Sequence, residues 1–135
     1  MRRHYSNCVT YGGGKYDVAY GRDEAMLGGL ALGAKASIGN AFCFAAGVYH
    51  RLRAAFFAGD LATARKEQAL ANSVVNLMND AAFASGGGLV VSRHIMERKG
   101  VRLGPPRLPL TPLSAAQTAA IDAELKRMDY FSWCD

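Results

Sequence analysis

No stretch of this sequence approaches the ~20 apolar residues needed to cross a bilayer. Its longest apolar stretches are interrupted by Gly, Lys or Arg. Arg2 and Arg3 are not followed by an apolar run, so the start does not read as a secretory signal. Cysteine is scarce: Cys8, Cys43 and Cys134 are odd in number and widely spaced, which fits neither a disulfide framework nor a zinc motif. Free thiols in a reducing cytosol are the simplest account, and a cytoplasmic location is expected. Histidine is as sparse: His4, His50 and His94 form no ligand spacing. An excess of one charge is also missing in any useful sense. The net charge is +5, but Lys and Arg alternate with acids, as in Arg65-Lys66-Glu67 and Glu124-Leu125-Lys126-Arg127. That pattern is a solvated helix surface rather than a phosphate track, so no nucleic-acid partner is expected. There is no internal repeat and no low-complexity tract.

What remains is an ordinary globular composition, 50% hydrophobic and 20% charged over 135 residues. That length allows one modest domain and falls well short of the ~250 residues of a whole (β/α)8 barrel. Along the chain, a helix end and the Gly12-Gly13-Gly14 loop precede a β-type run, Tyr16 to Tyr20, closed by Gly21. Asp23 is placed to cap a helix that ends at Gly33. A second strand is expected from Ala34 to Asn40. Two strands joined by a helix imply parallel pairing. The rest reads as helical. Ala45 to Ala58 carries Val48, Leu52, Ala55 and Phe56 on one stripe, and Asp60 caps a helix with Leu70, Val74, Leu77 and Met78 at helical spacing. Gly86-Gly87-Gly88 breaks the pattern as a close helix–helix approach, and Leu89 to Lys99 resumes it. The prolines in Gly104-Pro105-Pro106-Arg107-Leu108-Pro109-Leu110 forbid helix there. Ser114 and Gln117 form a capping box, with Leu113 as staple, for a last helix reaching about Met128.

Two parallel strands do not stand alone, because a parallel sheet is normally covered on both faces and open edges invite pairing. The elements read as the closing end of a larger fold. Ligands of parallel α/β folds bind at the carboxyl ends of strands. That directs attention to Gly21-Arg22-Asp23-Glu24 and to Gly39-Asn40-Ala41-Phe42-Cys43-Phe44. Asp23 and Glu24 can accept hydrogen bonds from sugar hydroxyls, or they can simply cap the helix and favour its dipole. Asn40 can donate and accept, but Asn after a strand is also common turn chemistry. Cys43, between two aromatics and with no nearby His, is expected to be an inert buried thiol. Gly12-Gly13-Gly14-Lys15 precedes a strand and lacks Walker spacing, so it is not a phosphate loop.

Several of these stretches together resemble the N-acetylneuraminate lyases, in the wider family of dihydrodipicolinate synthases and other pyruvate-dependent Schiff-base aldolases. They are Lys15 to Glu24, Leu30-Ala31-Leu32-Gly33-Ala34-Lys35, Ala58 to Arg65, Gly104 to Leu110, and Met128-Asp129-Tyr130-Phe131-Ser132-Trp133. The resemblance runs from about Cys8 onward. It implies an α/β fold, the C-terminal portion of a (β/α)8 TIM barrel: residues 1–58 as its last two βα units and 59–135 as a C-terminal helical extension. It further implies reversible cleavage of N-acetylneuraminate to N-acetylmannosamine and pyruvate through a lysine Schiff base. Neither a metal nor a dissociable cofactor, nor a membrane, is involved, and the family is usually tetrameric. Gly21, Asp23 and Glu24 match the turn that binds the sugar's hydroxyls. Asn40 stands where the family usually has Ser, in a stretch whose polar side chains are here largely replaced. The Schiff-base lysine, the proton-transferring tyrosine and the carboxylate-binding turn belong to earlier strands. Lys15 and Lys35 are not in the lysine motif. The chain on these grounds is expected to contain no catalytic residue and to be inactive by itself. A non-catalytic module pairing its open edges, or a sibling aldolase for another sugar acid, is the alternative.

Overall fold

A computed structural model describes residues 4–80 and 87–135. Helix α1 (His4–Thr10) leads through a short 3-10 turn into strand β1 (Ala19–Tyr20). Helix α2 (Met26–Ala31) then connects it to strand β2 (Ala36–Ser37). The strands pair in parallel, Ala19 opposite Ala36 and Tyr20 opposite Ser37. The Ile38 N–H extends the ladder by donating to the Tyr20 carbonyl at 2.9 Å. The βαβ unit expected from the sequence is present, but both strands are shorter than the runs that suggested them. Each has one neighbour among the described residues, so the ladder reaches only as far as the two overlap. The outlying Asp17 and Lys35 meet instead as an exposed ion pair.

Five helices follow: α3 (Ala46–Phe57), α4 (Leu61–Asn79), α5 (Gly88–Arg98), α6 (Ala115–Arg127) and α7 (Tyr130–Trp133). Their starts obey the capping chemistry of the sequence. The Asp60 side chain accepts from the Thr63 N–H at 2.9 Å, and Ser114 and Gln117 make a complete capping box. The Pro-rich segment is non-helical, with a cis Leu108–Pro109 peptide. Of the triple glycine, Gly86 lies outside the described residues. At Gly88 a Cβ would stand 3.0 Å from Met78 and Asn79 side-chain atoms, so α4 and α5 do meet closely there. Helix α7 has no periodic signal long enough to reveal it.

The core lies between α3 and α4, where Val48 and Leu52 face Ala71, Val74 and Val75, all buried. Val91, Ile95, Ile121 and Leu125 close it from α5 and α6. The C-terminus is bound to the start of α3. The Tyr130 hydroxyl donates to the Phe44 carbonyl, and the Gly47 N–H donates to the Cys134 carbonyl at 3.2 Å. Arg51 joins three elements, donating to the Trp133 carbonyl at 2.7 Å, the Asp135 carbonyl at 3.0 Å and Glu67 at 3.0 Å. A Cβ at Gly47 would run into the Asp135 backbone, so only glycine allows this approach. No helix among the described residues is long and apolar enough to cross a membrane.

Candidate functional site at the strand ends

Because β1 and β2 are parallel, the chain leaves both at the same end of the sheet. The Gly21–Glu24 turn and the Gly39–Cys43 loop, each proposed from sequence, therefore sit side by side. Asp23 joins them. It is buried, one carboxylate oxygen accepts from the Ala41 N–H at 2.8 Å, and the other accepts from the Glu24 N–H at 3.1 Å. This corrects the expectation that Asp23 caps its own helix. Residues 23–25 form a 3-10 turn, α2 begins only at Met26, and its first residues receive no side-chain cap. The reach across is possible because position 39 is glycine. A Cβ there would lie 2.8 Å from the Asp23 Cβ, Cγ and Oδ2.

The turn is held from behind by Gln68 on α4, which the sequence pattern did not single out. Its amide nitrogen donates to the Asp23 carbonyl at 3.1 Å and to Asn72 Oδ1 at 2.9 Å. Its amide oxygen accepts from the Leu27 N–H at 2.9 Å. A polar residue on the buried stripe of an apolar helix was the available clue, since such a group must find partners.

Glu24 has a different environment. It is half-buried, and the Arg22 Nε donates to it at 2.7 Å. Burial alone raises its carboxyl, but the hydrogen bonds, that from Arg22 foremost, outweigh burial and hold it below its ordinary value. It is an anion at neutral pH whose oxygens are not consumed by backbone amides of the neighbouring loop. Gly21 is exposed, and the exposed Asn40 keeps its side-chain amide clear of the hydrogen bonds that tie the two loops. The four residues proposed as ligands are thus brought together, with Asp23 committed to structure and Glu24 and Asn40 presenting polar groups outward.

Beneath the loops a cleft of about 300 Å³ is lined by Met26, Ser37, Phe42, Ala46, Tyr49, His50 and Arg53. Two hydroxyls are buried there without a hydrogen-bond partner, Ser37 Oγ and Tyr49 OH. Burial, and secondarily the charges of Asp23 and Glu24, push the Tyr49 phenol up, so it stays protonated. Cys43, expected to be buried, is exposed: the 3-10 turn Ala41–Cys43 sends Ala41 and Phe44 inward and leaves the thiol between them outside. His94 is elsewhere, nearly buried on α5. It bonds Asp122 of α6 at 2.8 Å, and Asp122 also receives Arg98, an arrangement that fastens two helices. Lys15 and Lys35 are exposed and apart from the strand-end loops. Among the described residues no group of three His, Cys, Asp or Glu side chains could hold a metal ion.

The family model for the dihydrodipicolinate synthetase family matches residues 3–128. N-acetylneuraminate lyase from Xenopus tropicalis is 37% identical over 97 residues, 71% of this chain and 30% of that protein. The 4-hydroxy-tetrahydrodipicolinate synthase of Mycolicibacterium paratuberculosis is 36% identical over 108 residues, 79% of this chain and 34% of that protein. Among solved structures, Proteus mirabilis N-acetylneuraminate lyase superposes with a TM-score of 0.83 at 30% identity, covering 93% of this chain and 41% of that one. The chain spans well under half the length of the relatives it matches. With a family model matching nearly the whole chain and solved structures matching its fold, it belongs to the dihydrodipicolinate synthetase family.

Proposed function

We propose that this chain carries the sugar-binding end of an N-acetylneuraminate lyase, as the last two βα units and the helical extension of a (β/α)8 barrel. The observation that carries the reading is the union of the two strand-end loops through Asp23, which leaves the Glu24 carboxylate and the Asn40 amide together at the end of a parallel sheet. Glu24 accepts hydrogen bonds from the polyol of the sugar acid, Asn40 adds a donor or acceptor, and Asp23 fixes the spacing between them. Ionised Glu24 suits this task, because hydrogen bonds to charged acceptors are shorter and stronger than neutral ones. C–C cleavage in this reading proceeds through a Schiff base on a lysine outside the chain. Neither Lys15 nor Lys35 stands at the strand ends where that lysine is needed.

The test has two arms. N-acetylneuraminate or N-acetylmannosamine, titrated into labelled protein, is expected to shift the amide resonances of Glu24 and Asn40. Purified chain is expected to release no pyruvate from N-acetylneuraminate, and borohydride with pyruvate is expected to leave its mass unchanged. Pyruvate release above a heat-killed control sinks the assignment of the lysine, and silent Glu24 and Asn40 resonances sink the assignment of the sugar site. A second reading, an aldolase for a different oxo acid, draws on the comparable identity to the 4-hydroxy-tetrahydrodipicolinate synthase and on the Ala, Phe and Cys side chains at 41–43. Selective response to a shorter oxo acid, with none to either sugar, is its signature.

A further inference from the structure

Tyr49 ends in a hydroxyl that the fold itself does not use. The residue is 3% exposed on α3, and its ring is held edge-on by Phe42 with centroids 4.3 Å apart. The phenol oxygen is buried without a hydrogen-bond partner among the described residues, and so is Ser37 Oγ at the end of β2. Both line the cleft between β2 and α3, under the helical cover of the sheet. Native structures rarely leave buried hydroxyls unpaired, so two in one cleft call for a polar partner. The other walls decide its chemistry. Met26, Phe42 and Ala46 give the cleft apolar sides, and the exposed His50 and Arg53 add nitrogen donors on the same flank of α3. No Asp or Glu lines it. The Arg53 guanidinium lies over the Phe57 ring, 4.8 Å from its centre, and has no carboxylate partner among the described residues, whereas Arg22, Arg51, Arg98 and Arg127 each have one.

We propose that this cleft is a binding site for a small 2-oxo or 2-hydroxy acid, whose carboxylate pairs with Arg53 beside His50 and whose second oxygen is held by the Tyr49 and Ser37 hydroxyls. Each part of such a ligand answers one feature of the cleft. The carboxylate suits an arginine that has no acid of its own. The oxo or hydroxy oxygen accepts from the two hydroxyls, and burial keeps the Tyr49 phenol protonated and able to donate. A short carbon chain lies against Met26 and Phe42. The volume of about 300 Å³ stands at the small end of ligand pockets, ~300–1,000 Å³, which favours a compact molecule. A wholly apolar ligand leaves both hydroxyls unpaired. A phosphate dianion brings more charge into largely apolar walls, within reach of the Asp23 and Glu24 charges that already act on Tyr49. The site lies apart from the Glu24 and Asn40 rim and rests on neither the sugar site nor the lysine chemistry of the proposed function.

Lactate is the probe, because it has no carbonyl and forms no Schiff base with any lysine. Titrated into labelled protein, it is expected to shift the Ser37, Phe42, Tyr49 and Arg53 amide resonances saturably. Lactamide, its neutral amide, and propionate, which lacks the hydroxyl, are each expected to bind at least about threefold more weakly. Tyr49→Phe removes only the unpaired oxygen and keeps the contact with Phe42. Its melting temperature should match or exceed the parent's, while lactate affinity falls about three- to tenfold. Arg53→Gln changes an exposed residue, so the melting temperature should hold while affinity falls at least about tenfold. Absence of a saturable response at these amides overturns the proposal. So does lactamide or propionate binding as tightly as lactate, inorganic phosphate binding more tightly, or a response that both variants leave unchanged. The Glu24 and Asn40 resonances report the sugar site separately. Their silence towards sugars leaves this cleft standing, and a silent cleft leaves the sugar site untouched.

Discussion

Replacing Asp23 tests whether its carboxylate is a clamp between two loops. Both its oxygens accept from backbone N–H groups, Ala41 at 2.8 Å and Glu24 at 3.1 Å. Asparagine is nearly isosteric but supplies only one acceptor. Whichever way the amide is turned, its NH2 faces an N–H and one hydrogen bond is lost. A hydrogen bond to a charged group contributes ~1.5–3 kcal/mol. Asp23→Asn is therefore expected to destabilise the chain by about 1.5–3 kcal/mol, and Asp23→Ala by at least as much. In urea unfolding, with a slope of ~1–3 kcal/mol per molar, this moves the midpoint down by about 1 M. Hydrogen exchange localises the effect: the Ala41 amide should lose protection first, ahead of the α3–α4 core. Stability within ~0.5 kcal/mol of the parent for both variants, with Ala41 still protected, refutes the clamp and returns Asp23 to the role of a free ligand.

Three further outcomes follow from the packing and charges. Leu52→Ala empties a fully buried position between α3 and α4 and is expected to cost ~2–5 kcal/mol in urea or thermal unfolding. Ser114→Ala removes the cap of α6 and should cost ~1 kcal/mol with little change in the unfolding slope. Burial raises the Asp122 carboxyl, but hydrogen bonds from Arg98 and His94 outweigh it and leave its folded value below the ordinary one. Its stabilising contribution is accordingly complete above the unfolded value of ~3.9 and is lost as pH falls through the lower folded value. Asp122→Asn should flatten that acid limb of stability, measured as urea midpoints from pH 7 downward.

Much of the fold was legible because it is local. Asp60 with Thr63, Ser114 with Gln117, and the prolines from 105 to 109 act within a few residues, and each behaves as its chemistry demands. The parallel pairing of the strands was legible as well, since two strand-type runs around one short helix have few other arrangements. The misread residues have partners distant in sequence. Asp23 looks like an N-cap until Ala41, eighteen residues on, takes its carboxylate. Gln68, which no pattern singled out, finds its partners only where the turn at 23–27 lies against it. Cys43 looks buried between two aromatics, but a 3-10 turn rotates successive side chains by about a third of a circle, so its neighbours point inward and it does not.

The acid pair of the turn divides its labour for a reason visible in the backbone. Two adjacent carboxylates left free would repel each other and demand a costly desolvation on binding. Here the Asp23 charge is met by two backbone amides, while that of Glu24 is paired with Arg22 through Oε1. The clamp works in turn only if the turn cannot drift, and the groups that stop it belong to the helical part of the chain. Gln68 holds Asp23 and Leu27 from α4, while Arg51, Glu67 and the C-terminal carbonyls fix α3 against α4. Helices α3 and α4 thus back the strand-end loops. A substitution at Gln68, remote from any ligand, would loosen the spacing of Glu24 and Asn40 before it disturbed the core, since it breaks hydrogen bonds to the turn while leaving Val74, Leu77 and Met78 in place.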